Sequence, residues 1–136
     1  MNPELKGMFE SVDNKSVEGF LSYLADDVVF RFGNAPEIAG KEDVRAGIER
    51  FFSQIVSLEH VLKGVWNEGE TTILQFDTYY TKQDGVIVGV PCCVVVRFNA
   101  ERLINDYRIH IDLSPLYTST PDRYLIRASA PSSMHL

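Results

Sequence analysis

Leu5, Met8, Phe9 and Val12 recur at the three- and four-residue spacing of one helix face, which predicts a first helix. The chain then breaks at Asp13-Asn14-Lys15. Ser16 is a natural N-cap for a second helix, with Glu18 in its first turn. That helix carries Val17, Phe20, Leu21 and Leu24 on one face and ends near Ala25-Asp26-Asp27. A strand follows over 28–32, then a loop from Asn34 to Gly40. A third helix from Lys41 to Gln54 buries Val44, Ile48, Phe51 and Phe52, with Ile55 just beyond. From residue 58 the pattern changes to β-rich runs: 58–67, 71–82, 86–98 and 102–112. Asp84-Gly85 between two such runs is a hairpin signal. Pro91 marks a bulge or an edge-like position.

The order helix, helix, strand, helix and four strands predicts an α+β domain, with three helices on one face of a curved, mostly antiparallel sheet. An apolar cavity between the two layers is expected. The domain takes in residues 1–116. Residues 117–136, rich in Ser, Thr and Pro, read as an irregular extension that Tyr124, Leu125 and Ile126 could pin to the body.

The chain has 136 residues, the size of one domain with one core. Its formal charge of -6 argues against nucleic acid and anionic membrane as partners. No apolar run approaches the roughly 20 residues of a membrane helix, and Met1-Asn2-Pro3-Glu4 does not open a secretion signal. A cytoplasmic protein is expected. Cys92 and Cys93 are adjacent in a strand and point to opposite faces, so they read as small strand residues rather than a disulfide or a zinc site. No metal motif, nucleotide-binding glycine loop or Gly-x-Ser-x-Gly nucleophile is present, so no cofactor is expected.

Three segments carry a family resemblance: Leu21-Ser22-Tyr23-Leu24-Ala25-Asp26-Asp27-Val28, the Asn34-to-Gly40 loop running into Lys41-Glu42-Asp43-Val44-Arg45, and Tyr107-Arg108-Ile109-His110-Ile111-Asp112. Together and in order they resemble the nuclear transport factor 2-like superfamily, and within it the SnoaL-like polyketide cyclase and limonene epoxide hydrolase branches. The resemblance covers residues 4–116 and implies a cystatin-like cone that commonly dimerises through its sheet. In limonene epoxide hydrolases a Tyr-x-Asn-x-Pro segment and an aspartate hold the attacking water, and an Asp-Arg-Asp arrangement activates it. Asn34 and Pro36 match the first motif, but its tyrosine falls at Phe32. Asp77 matches the acid, the arginine falls at Gln75 and the second aspartate at Ile109, so that mechanism is incomplete. Ketosteroid isomerases use an aspartate before the third helix and a tyrosine on the first; Arg31-Phe32 and Phe9 stand in those neighbourhoods. The cyclase branch asks for a single aspartate as acid and base, a demand this chain can meet.

On this reading Asp77 is the candidate proton shuttle and Asn34 holds an oxygen or a water. Phe32, Trp66, Gln75, Tyr79, Tyr107 and Ile109 line the pocket. The placement of Asp77 depends on which face of its strand looks inward: Gln75, Asp77 and Tyr79 share one face, Leu74, Phe76, Thr78 and Tyr80 the other. The competing readings are a solvated Asp77 and an Asn34 that only fixes its turn. His60, sharing a face with Leu62, Gly64 and Trp66, is an alternative candidate against a plain buried histidine. A His110–Asp112 pair is another, although parity turns both outward with Arg108. The expected function is a cofactor-independent cyclase, isomerase or hydrolase acting on a small, largely apolar oxygenated molecule. The alternative is a non-catalytic ligand-binding or structural module; in either case a homodimer is expected.

Overall fold

Asn2 opens the first helix, its side chain accepting a hydrogen bond from the Leu5 amide while Pro3 takes the first helical position. The computed structural model describes residues 1–117 and 125–127. Helix α1 spans Pro3–Asp13 and buries Leu5, Met8 and Phe9. Ser16 caps α2 through the Gly19 amide, but α2 is only Val17–Leu21. Leu24, expected on the helix, instead begins strand β1, Leu24–Phe32. Its register against β6 shifts between Leu24 and Val29, leaving Asp26 and Asp27 exposed in the irregular stretch. The loop expected over 34–40 contains a two-residue strand, β2 (Ile38–Ala39), paired with Val29 and Phe30. Helix α3 spans Lys41–Ser53, with acidic residues in its first turn and Arg50 in its last, as the helix dipole favours.

Strands β3 (Ser57–Glu68), β4 (Thr71–Thr81), β5 (Ile87–Phe98) and β6 (Ile104–Ile111) follow, then a 3-10 turn at Ser114–Leu116. The sheet order is β2-β1-β6-β5-β4-β3. All neighbours are antiparallel except β1 and β6, which run parallel, so the sheet is mixed. Of the C-terminal extension, β7 (Leu125–Arg127) pairs with Gly89 to Ile87 of β5; the rest, Tyr124 included, lies outside the described residues.

The helices cover one face of the sheet. On β4 the inward residues are Leu74, Phe76, Thr78 and Tyr80, all buried. Phe9 of α1 packs on Phe76 with ring centroids 4.7 Å apart. Between Leu62 and Gly64 the register of β3 against β4 slips by one residue. This bulge reverses the alternation beyond it, because side chains switch faces every residue. Leu62 and Val65 pack inward, whereas Gly64 and Trp66 turn outward. A Cβ on Gly64 would lie 2.5 Å from the Trp66 indole, so the glycine is what lets the ring lie flat over the strand.

Candidate functional site

Between the helices and the sheet lies an apolar cavity of about 40 Å³, walled by Phe20, Phe30, Phe32, Phe51 and Phe52. One water needs roughly 10–15 Å³ by this measure, so the space holds a few small groups. Its polar points come from four neighbouring strands: His60 on β3, Tyr80 on β4, Cys92 on β5 and Tyr107 on β6.

His60 is held by Asp13, the last residue of α1. Its Nδ1 lies 2.6 Å from Asp13 Oδ1, and its backbone N–H donates to Oδ2 at 3.1 Å. A carboxylate can only accept, so Nδ1 carries the proton. Nε2 is thus the nitrogen left to a ligand. Phe9 and Phe76 clamp the ring, at centroid distances of 5.1 and 5.0 Å. The side chains are 9% and 17% exposed, and of the two it is His60 that lines the cavity.

Burial pushes the Tyr80 phenol well above its ordinary range, helped by the nearby Cys92 thiol, Tyr107 phenol and Asp13 carboxylate. Burial raises Tyr107 too, followed by the same thiol and carboxylate. Both phenols therefore stay protonated and act as donors. Burial also raises Cys92, from about 9 to about 11, against the lowering effect of its hydrogen bond with Thr78 Oγ1 at 3.4 Å. The unfolded chain loses the thiol proton near pH 9, while the folded chain keeps it to about 11. Cys92 therefore stabilises the fold fully below pH 9, and that stability drains away as the pH rises through 11. We expect thermal scans to lose about 1.4 kcal/mol per pH unit in this window, and Cys92→Ala to flatten the decline.

Several residues expected in the pocket stand elsewhere. Phe32, Tyr107 and Ile109 do line it. Asp77 is on the opposite face of β4, with Oδ2 3.7 Å from Lys63 Nζ. Gln75 is exposed on that same outer face. Tyr79 is buried but also on the outer side, opposite Gly89. Trp66 is 55% exposed, turned outward by the β3 bulge. Asn34 is exposed in the turn after β1, beside surface depressions rather than in the cavity. His110 and Asp112 face outward, as their parity indicates. Both are exposed, and Asp112 accepts the Ser114 amide, which lowers its pKa. Asp13 reads in the sequence as a mere break between helices, yet it stands four residues after Phe9 and eight after Leu5. A carboxylate on an apolar helix stripe, with a histidine on an apolar strand face, is the signal that points to this pair.

A family profile for the SnoaL-like domain matches residues 5–106, both members of the Asp13–His60 pair and the cavity lining up to Val94 included. The chain belongs to the SnoaL-like family. None of the curated proteins matches it. Among solved structures, this SnoaL-like chain is similar to an NTF2-like protein of unknown function from Burkholderia pseudomallei K96243, at 18% identity and TM-score 0.76, over 83% of this chain and 91% of that one. It is similar to an LEH-like epoxide hydrolase of M. tuberculosis, at 14% identity and TM-score 0.70, over 84% of each chain. A third is a hypothetical protein of ketosteroid isomerase-like fold from Catenulispora acidiphila DSM 44928, in complex with trimethylamine, at 12% identity and TM-score 0.75, over 85% and 91%. At these identities the likeness is one of fold. No helix among the described residues is long and apolar enough to cross a membrane.

Proposed function

We propose that this SnoaL-like protein is a cofactor-independent proton-transfer catalyst acting on a small, neutral, largely apolar carbonyl compound, with His60 as the base. The observation that carries this reading is the 2.6 Å Asp13–His60 contact at the wall of an otherwise apolar cavity. Nε2 of His60 takes a proton from the carbon next to the carbonyl, and the electron pair moves to the carbonyl oxygen. Tyr80 or Tyr107 donates its O–H to that oxygen as it gains charge. Asp13 stabilises the imidazolium that results. The proton then returns to a different carbon in an isomerisation, or to a departing hydroxyl in a dehydration. In a cyclisation the enolate carbon attacks a second carbonyl of the same molecule, whose oxygen takes the proton. Among the described residues that line the cavity there is no Lys or Arg to meet a charged substrate, which is why the substrate is neutral.

The test is incubation in D2O with a panel of small ketones and β-hydroxy ketones, followed by NMR. Deuterium next to the carbonyl, or loss of water, above the buffer rate and absent in His60→Gln supports the reading. Exchange that His60→Gln leaves unchanged rejects it. A second reading, a non-catalytic binder of small apolar molecules, rests on the largely apolar lining. It requires ligand affinity that survives His60→Gln with no turnover by either protein.

The outer sheet face supports a homodimer. Trp66, Ile73 and Val95 are cross-strand neighbours there and form an apolar strip, Trp66 exposed and the other two half-buried. The wild type is expected to sediment at twice the 15.4 kDa chain mass, and Ile73→Lys at the chain mass. A monomeric wild type at micromolar concentration rejects the pairing.

A further inference from the structure

Back to back with the cavity wall, on the outer side of β1 and β6, is a depression of about 200 Å³ bordered by Arg31, Asn34, Arg108 and His110. Every one of these side chains can donate a hydrogen bond. Arg31 and Arg108 are register partners on the parallel pair, so the two side chains leave the sheet from neighbouring positions and border the same depression. Like charges placed opposite one another on a sheet repel unless an anion lies between them. Arg108 has its anions. Its Nε and Nη2 donate to both oxygens of Asp106, at 2.8 and 3.2 Å, and its Nη1 donates to Glu37 at 2.6 Å. Arg31 has none: its Nε donates to the Ala35 carbonyl at 3.0 Å, and no carboxylate lies within ion-pair distance of it among the described residues.

The two acids on Arg108 are unlike. Asp106 sits on the same strand and is gripped by two donors. Glu37 reaches in from the loop, through one bond, and its side chain is 51% exposed. Releasing it to water costs little, because exposed ion pairs are weak. We propose that Arg31 and Arg108, with Asn34, form a binding site for a small oxyanion, a carboxylate or a phosphate, whose place on Arg108 is occupied by the chain's own Glu37. Both arginines border the one depression, so an anion there that takes over Nη1 of Arg108 and engages the free end of Arg31 gains two guanidiniums where Glu37 satisfies one. The turn that frames the site is set in advance. Gly33 at φ 59 donates to the Ile109 carbonyl, and the Ala35 amide to Phe32.

The experiment is an NMR titration of the full-length 15N-labelled chain with inorganic phosphate and, separately, acetate, at an ionic strength held constant with chloride. The Gly33 and Asn34 amides should shift and saturate with at least one of the two; the one that binds tells a phosphate site from a carboxylate site. Arg31→Gln should weaken binding about tenfold. Arg31→Lys, which keeps the charge but loses the fork, should weaken it as well. Glu37→Gln removes the competitor and should strengthen it. Arg97→Gln, on the strand beside Asp106, should change nothing. No saturable shift with either anion overturns the proposal. So does an equal loss in Arg31→Gln and Arg97→Gln, or weaker binding in Glu37→Gln.

Discussion

His60→Gln is expected to lower turnover of the substrate by about 10²–10⁴-fold, the range that a positioned general base contributes. Glutamine is close to histidine in size, so the Phe9–Phe76 clamp closes on it and the cavity keeps its shape. Its amide can hydrogen-bond a ligand but takes no proton near neutral pH. KM should therefore change much less than kcat. Asp13→Asn is expected to cost less. Its amide oxygen still accepts from Nδ1, but it leaves the imidazolium formed in the reaction without a neighbouring negative charge. Asp13→Ala is expected to cost more than Asp13→Asn, because a half-buried Nδ1–H and the His60 amide both lose their acceptor. Single-turnover kinetics checks the expected order of decreasing rate: wild type, then Asp13→Asn, then Asp13→Ala, then His60→Gln. A plain buried histidine gives a different pattern, with all three variants losing stability and none losing kcat selectively.

The elements of the fold were legible because their periodicity is strong. The stripe Leu5, Met8, Phe9, Val12 and the stripe Val44, Ile48, Phe51, Phe52 each specify a helix face, and Asp84-Gly85 specifies its hairpin. What periodicity does not carry is the β3 bulge. One extra residue at Lys63 moves Trp66 from the cavity to the outer face, and nothing in the local composition announces it. The parallel pairing of β1 with β6 is equally silent, since it joins segments more than seventy residues apart. Asp77 is misplaced by sequence reasoning for another reason. Its neighbours Leu74, Phe76 and Tyr80 already mark the inner face of β4, and the motif match to a hydrolase aspartate points the other way. The hydrophobic count is the better guide, because burying a carboxylate without a partner costs more than any loose motif match can outweigh. The same count applied to α1 selects Asp13, a carboxylate on an inward stripe that must find a partner, and His60 is that partner.

Phe76→Ala is expected to destabilise the protein by about 3–5 kcal/mol, the usual cost of emptying a fully buried aromatic site. Phe76 has no exposed surface and sits mid-strand between two paired neighbours, opposite Leu62 on β3 and Cys92 on β5. The backbone there is fixed by hydrogen bonds on both sides and has no way to close over the void. Against a total stability of about 5–15 kcal/mol, such a loss leaves a marginal fold and lowers the midpoint of thermal unfolding by roughly 10–20 °C. The ring also has a second neighbour besides Phe9: the His60 imidazole, edge-on at 77°. Removing it frees the imidazole to tilt off the line to Asp13. Phe76→Leu separates the two effects, since leucine fills most of the volume and loses the edge-on ring contact. It is expected to cost about half as much stability as alanine yet to lower kcat more than that modest loss accounts for, because a base held within a few tenths of an ångström of its working position is sensitive to small displacements. Calorimetry measures the first effect and single-turnover kinetics the second. If kcat in Phe76→Leu stays at the wild-type value, the clamp is packing alone and His60 owes its orientation to Asp13.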